Sequence, residues 1–182
     1  MMTVPITSAA HADGHQERPG SRAIAGAIER AGIRFVVYLP DSTLWQVPKL
    51  LAAVPDMELV PCAREDEGIA IAAGAFLCGN LGVALMEGSG IGLAGLILAR
   101  MQLQRTPVLL IASHNRALGE AHDYHGATCL AGQGVLEGLR IPSVVVTTSG
   151  VLGTMVEQAA VTAAGQRTVV GVHVPDFVMD FE

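Results

Sequence analysis

The sequence predicts an α/β fold, a doubly wound and mostly parallel sheet of about six strands with helices on both faces. Two patterns carry that expectation. Short continuous apolar runs rich in Val and Ile, as found in strands buried on both faces, alternate with longer segments whose apolar residues recur at helical spacing. The chain is also 51% hydrophobic but only 4% aromatic, with 21 glycines, so its core must be aliphatic and its helices and strands closely packed. At 182 residues it fits one domain with a sizeable core.

The elements follow in order. Residues 1–20, "MMTVPITSAAHADGHQERPG", are polar and small and predict a flexible N-terminal tail, leaving a single domain over 21–182. "SRAIAGAIERAG" predicts a helix with Ser21 as N-cap and Gly32 as its stop. "IRFVVYLP" is a strand closed by Pro40, and "STLWQVPKLLAAV" a helix with Pro48 near its start. "MELVP" reads as a strand, "EDEGIAIAAGAFLCGN" as a helix, "GVALMEG" as a strand and "IGLAGLILARMQLQ" as a helix. "PVLLIASH" is a buried strand, followed by a loop containing "HDYHG" and a short helix near 135–139. "PSVVVTT", "GVLGTMVEQAAVTAAG" and "RTVVGVHVP" complete the pattern as strand, helix and strand.

Composition excludes several function classes. A net charge of −6 and the lack of any Lys/Arg run argue against a nucleic-acid surface. No basic start followed by an apolar run marks a secretory signal, and the apolar stretches are broken before membrane-spanning length. Cys62, Cys78 and Cys129 are odd in number and unpaired in spacing, which supports neither a disulfide framework nor a zinc site and fits a reducing cytoplasm.

In an open parallel sheet the ligand crevice lies beyond the carboxyl ends of the strands. There the sequence places "PDST", "AREDEG", "EGSGIG" and "SHNR…HDYH". Gly90, Gly92 and Gly95 match GxGxxG between a strand and a helix, the pattern of a dinucleotide-binding turn. A non-catalytic nucleotide-binding or regulatory module is therefore one reading. Against it, the following strand ends in Ser113, His114 and Asn115, with no acid to hold a ribose hydroxyl. Glu65, Asp66 and Glu67 open a helix, where each carboxylate gains about 0.3–1 kcal/mol from the macrodipole. The residues beyond them, 68–75, are small enough to predict close packing against another backbone, a flat cofactor or another subunit.

The set "LPDSTL", "REDEGIAIAAGAFLCG", "MEGSGIGLAGL" and "PVLLIASH", in this order, resembles the pyrimidine-binding domain of thiamine-diphosphate enzymes. It is most similar to sulfopyruvate decarboxylase alpha subunits and the matching half of phosphonopyruvate decarboxylases, over 21–174. In that family a helix begins with a glutamate and reaches a glycine nine residues later; counting back from Gly74 gives Glu65. The resemblance implies that Glu65 hydrogen-bonds the cofactor's aminopyrimidine and favours the imino form that activates the thiazolium. It implies cofactor contacts from Ser89, Gly90 and Gly92, catalytic roles for His114 and His125, and substrate contacts from Asp41, Ser42 and Arg116. His122 is a weaker neighbour of the same pocket. Asp41 and Ser42 can also cap the next helix.

The family's diphosphate is held through Mg2+ by a GDG-containing domain, and no GDG occurs here. The resemblance therefore implies an alpha subunit, active only with a beta subunit that supplies diphosphate and Mg2+ binding, in a hetero-oligomer with paired alpha subunits. The reaction implied is decarboxylation of a small 2-oxo acid. Relatives show "MQNSGLGN" and "SHRG" where this chain has "MEGSGIGL" and "SHNR". An added carboxylate, Glu87, would repel an anionic tail by about 4 kcal/mol at roughly 4 Å and an effective dielectric of about 20. Either Glu87 points away or the substrate is not strongly anionic.

Overall fold

The computed structural model describes residues 16–115 and 123–180. Six strands, β1 (Phe35–Tyr38), β2 (Glu58–Pro61), β3 (Gly82–Glu87), β4 (Val108–His114), β5 (Ser143–Val145) and β6 (Val169–Pro175), form one sheet in the order β2-β1-β3-β4-β6-β5. Every neighbouring pair is parallel. The helices are α1 (Pro19–Arg30), α2 (Gln46–Leu51), α3 (Glu65–Leu77), α4 (Gly90–Leu93), α5 (Gly95–Gln104), α6 (Asp123–Gly138) and α7 (Leu152–Gln166). The expected tail lies almost wholly outside the described residues.

Strand side chains alternate between two cores. Val36, Val83, Leu85, Leu109, Ile111 and Val172 meet α1, α2 and α7 on one face. Val37, Ala84, Met86, Leu110 and Val169 meet α3–α6 on the other, through residues such as Ile69, Leu98 and Leu136. Full burial of each large aliphatic side chain contributes about 1.5–3 kcal/mol, so both faces are strongly held. From β1 the chain goes to β2 on one side and then, through α3, to β3 on the other. The carboxyl ends of β1 and β3 therefore flank the topological switch point, where α/β sheets open a crevice.

Close backbone approach explains the small residues of α3. A Cβ on Gly82 would overlap the carbonyl of Ala72, and one on Gly68 would stand 2.8 Å from the Cys62 sulfur. Gly68, Ala72, Ala73 and Ala75 are thus buried within this chain, and Ala70 and Gly74 face outward. Most of that run needs no second subunit to account for its lack of bulk.

Three elements differ from expectation. The first helix starts at Pro19, whose fixed φ suits an opening turn, and Ser21 lies inside it, fully buried, rather than capping it. The helix expected over "IGLAGLILARMQLQ" is two, broken at Ala94 (φ −90°, ψ 7°). "HDYHG" contributes to the start of the 16-residue helix α6 instead of a loop. Its glycines at 126, 132, 134 and 138 mute the helical signal, but a Cβ on Gly132 would overlap the carbonyl oxygen of Gly88.

Both ends of the described chain brace the β1–α2 turn. Arg18 bonds Asp176 at 2.8 Å and Asp180 at 2.7 Å, and Asp176 also accepts from the Thr43 hydroxyl at 3.1 Å. No helix among the described residues is long and apolar enough to cross a membrane.

Among the described residues, the buried Ser21 hydroxyl has no hydrogen-bond partner. Such a group costs about 1–3 kcal/mol. Ser21→Ala is expected to stabilise the fold by about 1 kcal/mol, read as a higher denaturant midpoint at unchanged slope; a lower midpoint would show that the hydroxyl is satisfied.

Candidate active site

Helix α3 begins at Glu65 because Arg64 is extended (φ −140°, ψ 141°) and the residues beyond are helical. The three acids have different tasks. Asp66 accepts from Arg64 Nε and Nη2, both at 3.0 Å, and from the Glu67 backbone N–H at 3.0 Å, which holds its carboxyl below the usual range. Glu67 is exposed. Glu65 is half-buried and its side chain crosses the first residue of α4: a Cβ on Gly90 would overlap Glu65 Cγ and Cδ and lie 2.6 Å from Oε1. No hydrogen bond to the Glu65 carboxylate is formed among the described residues.

The glycine turn is filled rather than open to a nucleotide. Glu65 covers Gly90, and a Cβ on Gly92 would meet Ala131 of α6 at 3.3 Å. A pyrophosphate approaching Gly90 would meet a carboxylate. Ser89 is half-buried just before α4 and makes no side-chain cap.

On the opposite face of the sheet edge, Asp41 is the organising group. Its Oδ1 accepts from Thr43 N (2.9 Å) and Leu44 N (2.8 Å), and its Oδ2 accepts from the Ser113 hydroxyl (2.8 Å). Burial pushes the Asp41 carboxyl up, against the lowering effect of these bonds, and the Glu87 charge pushes it further. Glu87 accepts from Asn115 Nδ2 at 3.1 Å and is half-buried, paired across the sheet with Ser113. Ser42 is exposed.

His114 ends β4 on the α3–α6 face. Its Nδ1 stands 3.6 Å from the sulfur of buried Cys129 in α6, and its ring meets that of His173 edge to face at 5.6 Å and 71°. Burial lowers the pKa of His114. Burial and the neighbouring His114 bring the pKa of buried His173 down to about 4, and among the described residues its Nε2 has no hydrogen-bond partner. His125 is half-buried in the first turn of α6. Arg116 and His122 lie outside the described residues.

The structure thus joins Glu65 to Gly90, Asp41 to Ser113, and Glu87 to Asn115, all at the carboxyl edge. Sequence reading assigned nothing to Ser113, Asn115, Cys129 or His173. The period-two alternation of "ASH" could have placed Ser113 and His114 on opposite faces; the contact with Cys129 had no local signal, since α6 was not foreseen there. Among the described residues, no group of three or more His, Cys, Asp or Glu side chains could hold a metal ion.

Comparison with known proteins gives one consistent result. Residues 18–137 match the family described as thiamine pyrophosphate enzyme, N-terminal TPP binding domain. The chain is 34% identical over 123 residues to the sulfopyruvate decarboxylase subunit alpha of Methanothermobacter thermautotrophicus, covering 67% of this chain and 74% of that one. It is 38% identical over 104 residues to the same subunit of Methanocaldococcus jannaschii, covering 56% and 60%. A solved 2-oxoglutarate:ferredoxin oxidoreductase from Magnetococcus marinus shares the fold with a TM-score of 0.73 at 20% identity, over 88% of this chain and 29% of that one.

Because its folded pKa is raised, the Asp41 contribution to stability is present below the unfolded value of 3.8 and lost as pH rises through the folded value. Glu87→Gln removes one cause of that shift, so the Asp41 carboxyl should titrate lower and the variant should lose less stability across this window. Carboxyl 13C NMR of Asp41 checks it; an unchanged midpoint would show that the two charges do not interact.

Proposed function

The chain belongs to the thiamine pyrophosphate enzyme N-terminal domain family, and on that premise we propose that it is the alpha subunit of a thiamine-diphosphate-dependent 2-oxo acid decarboxylase. The observation that carries the reading is the half-buried Glu65 carboxylate laid over Gly90 beside the crevice. Its relatives named as sulfopyruvate decarboxylase alpha subunits support the reaction class.

The residues present fit the aminopyrimidine end of the cofactor. Gly90 has no side chain, so Glu65 reaches across α4. Glu65 Oε1 or Oε2 would hold the ring nitrogen and share a proton with it, while Ser89, Gly90 and Gly92 shape the adjoining wall. When bound, thiamine diphosphate supplies the electron sink that takes up the pair left as carbon dioxide departs. His114, whose neutral form burial favours, would offer Nε2 for proton transfer near the reacting carbon, its Nδ1 standing against Cys129. His125 would face the same space from α6. Asp41 orients Ser113 and, with Ser42 and Arg116, would bound the substrate from the β1 and β4 loops.

The diphosphate and Mg2+ would be held by a separate beta subunit, with paired alpha subunits in a cytoplasmic hetero-oligomer. Leu93, Leu96 and Leu130 of α4, α5 and α6 are 68%, 72% and 51% exposed, an apolar surface of the kind that a partner covers.

The substrate would be a small 2-oxo acid whose tail is disfavoured when it carries a full sulfonate charge. Glu87 lies close enough to Asp41 to raise its pKa and is tied to Asn115, so two carboxylates stand at the switch point.

Glu65→Gln is expected to leave folding and subunit assembly intact and to cut turnover at least about tenfold, a loss of roughly 1.4 kcal/mol in barrier lowering. Asp66→Asn and Glu67→Gln should retain most activity. Steady-state carbon dioxide release by the assembled enzyme checks this; full activity in Glu65→Gln would refute the assignment.

Glu87→Gln is expected to improve use of sulfopyruvate relative to uncharged 2-oxo acids. Comparison of kcat/KM across sulfopyruvate, phosphonopyruvate and neutral 2-oxo acids tests it, and a preference for sulfopyruvate in the unmodified enzyme would show that Glu87 does not act on the tail.

A further inference from the structure

His173 and Cys129 are buried groups at the carboxyl edge that the proposed mechanism does not use. A buried imidazole nitrogen without a partner is unfavourable, so a position that merely filled space would suit an apolar ring better. His173 instead lies on the face that carries His114, opposite Ala112 in the β4–β6 register, with the two rings edge to face at 5.6 Å. Its Nε2 runs back along β6, 3.9 Å from where Gly171 would carry a Cβ. Cys129 meets the same His114 ring from α6, at Nδ1 and 3.6 Å.

We propose that Cys129 and His173 are positioning residues that fix the His114 imidazole in one orientation and one tautomer, with the proton on Nε2. The proposal rests on the reading that His114 lies in the active site. A neutral imidazole has one N–H and one lone pair, and which nitrogen carries the proton is set by the hydrogen bond made by the other. The contact can run either way, S–H to Nδ1 or Nδ1–H to sulfur; Cys129 S–H as donor uses the ring lone pair, the stronger acceptor of the two atoms. The proton of the neutral ring is then on Nε2. Burial favours that neutral form by lowering the His114 pKa. The His173 ring packs edge to face against the His114 ring, and as a neutral group it adds no competing charge.

Long-range 1H–15N NMR of the full chain labelled with 15N-histidine tests the proposal. The wild type is expected to show His114 as the Nε2–H tautomer, with well-separated ring-nitrogen signals. In Cys129→Ala those signals should move toward each other as the tautomers mix, and Cys129→Ser, which restores a donor, should separate them again. His173→Ala should broaden or shift the His114 signals, and His173→Phe, which keeps a ring, should shift them less. An Nδ1–H tautomer in the wild type, or a His114 spectrum unmoved by Cys129→Ala, overturns the proposal; the wild-type spectrum decides the tautomer even if a variant fails to fold. The underlying reading fails separately: full turnover by His114→Ala in the assembled enzyme would remove His114 from the site while leaving its tautomer as measured.

Discussion

The site depends on backbone approaching backbone more closely than a Cβ allows. Gly82 receives the Ala72 carbonyl, which seats α3 on the sheet. A Cβ on Gly88 would overlap the Ser113 carbonyl oxygen, and one on Gly132 the Gly88 carbonyl oxygen, so the turn after β3, the end of β4 and α6 are locked together. Gly90 then leaves the gap through which Glu65 crosses to α4. A methyl group at any of these four places would force a shift in the elements that carry the functional side chains.

With the edge fixed in this way, its two faces carry different chemistry. The α1–α2–α7 face holds carboxylates: Asp41 on the turn after β1, with Glu87 and Ser113 at the ends of β3 and β4. The α3–α6 face holds His114, Cys129 and His173 beside the helix that begins with Glu65. Period-two alternation makes this division unavoidable, because neighbours such as Ser113 and His114 must point to opposite sides. One face carries the acidic pair and the other the two imidazoles and the thiol. The bond from Thr43 to Asp176, itself held by Arg18, links the acidic turn to both ends of the described chain.

Much of the fold was legible because strand and helix periods are local properties. All six strands and the parallel topology could be read from apolar runs such as "PVLLIASH" and "RTVVGVHVP". The misread elements were those whose local signal conflicts with tertiary need. Ser21 has a capping residue's chemistry, yet Pro19 starts the helix two residues earlier. Helix α6 carries glycines that weaken helical propensity but permit contact with Gly88. In the candidate site, Glu65 was singled out through the family resemblance, by its place nine residues before Gly74. The bonds from Thr43 N and Leu44 N to Asp41 are local, but the Ser113–Asp41, Asn115–Glu87 and His114–His173 contacts join residues far apart in the chain, and no local pattern could show them.

The central claim is that Glu65, alone of the three acids, meets the cofactor's aminopyrimidine. A crystal structure of the chain assembled with its diphosphate-binding partner and thiamine diphosphate tests this most directly. A Glu65 carboxylate oxygen is expected within hydrogen-bond distance of the pyrimidine ring nitrogen, with Gly90 beneath the contact and Asp66 still bound to Arg64. A pyrimidine held by Asp66 or Glu67, or seated away from α3 altogether, would contradict it.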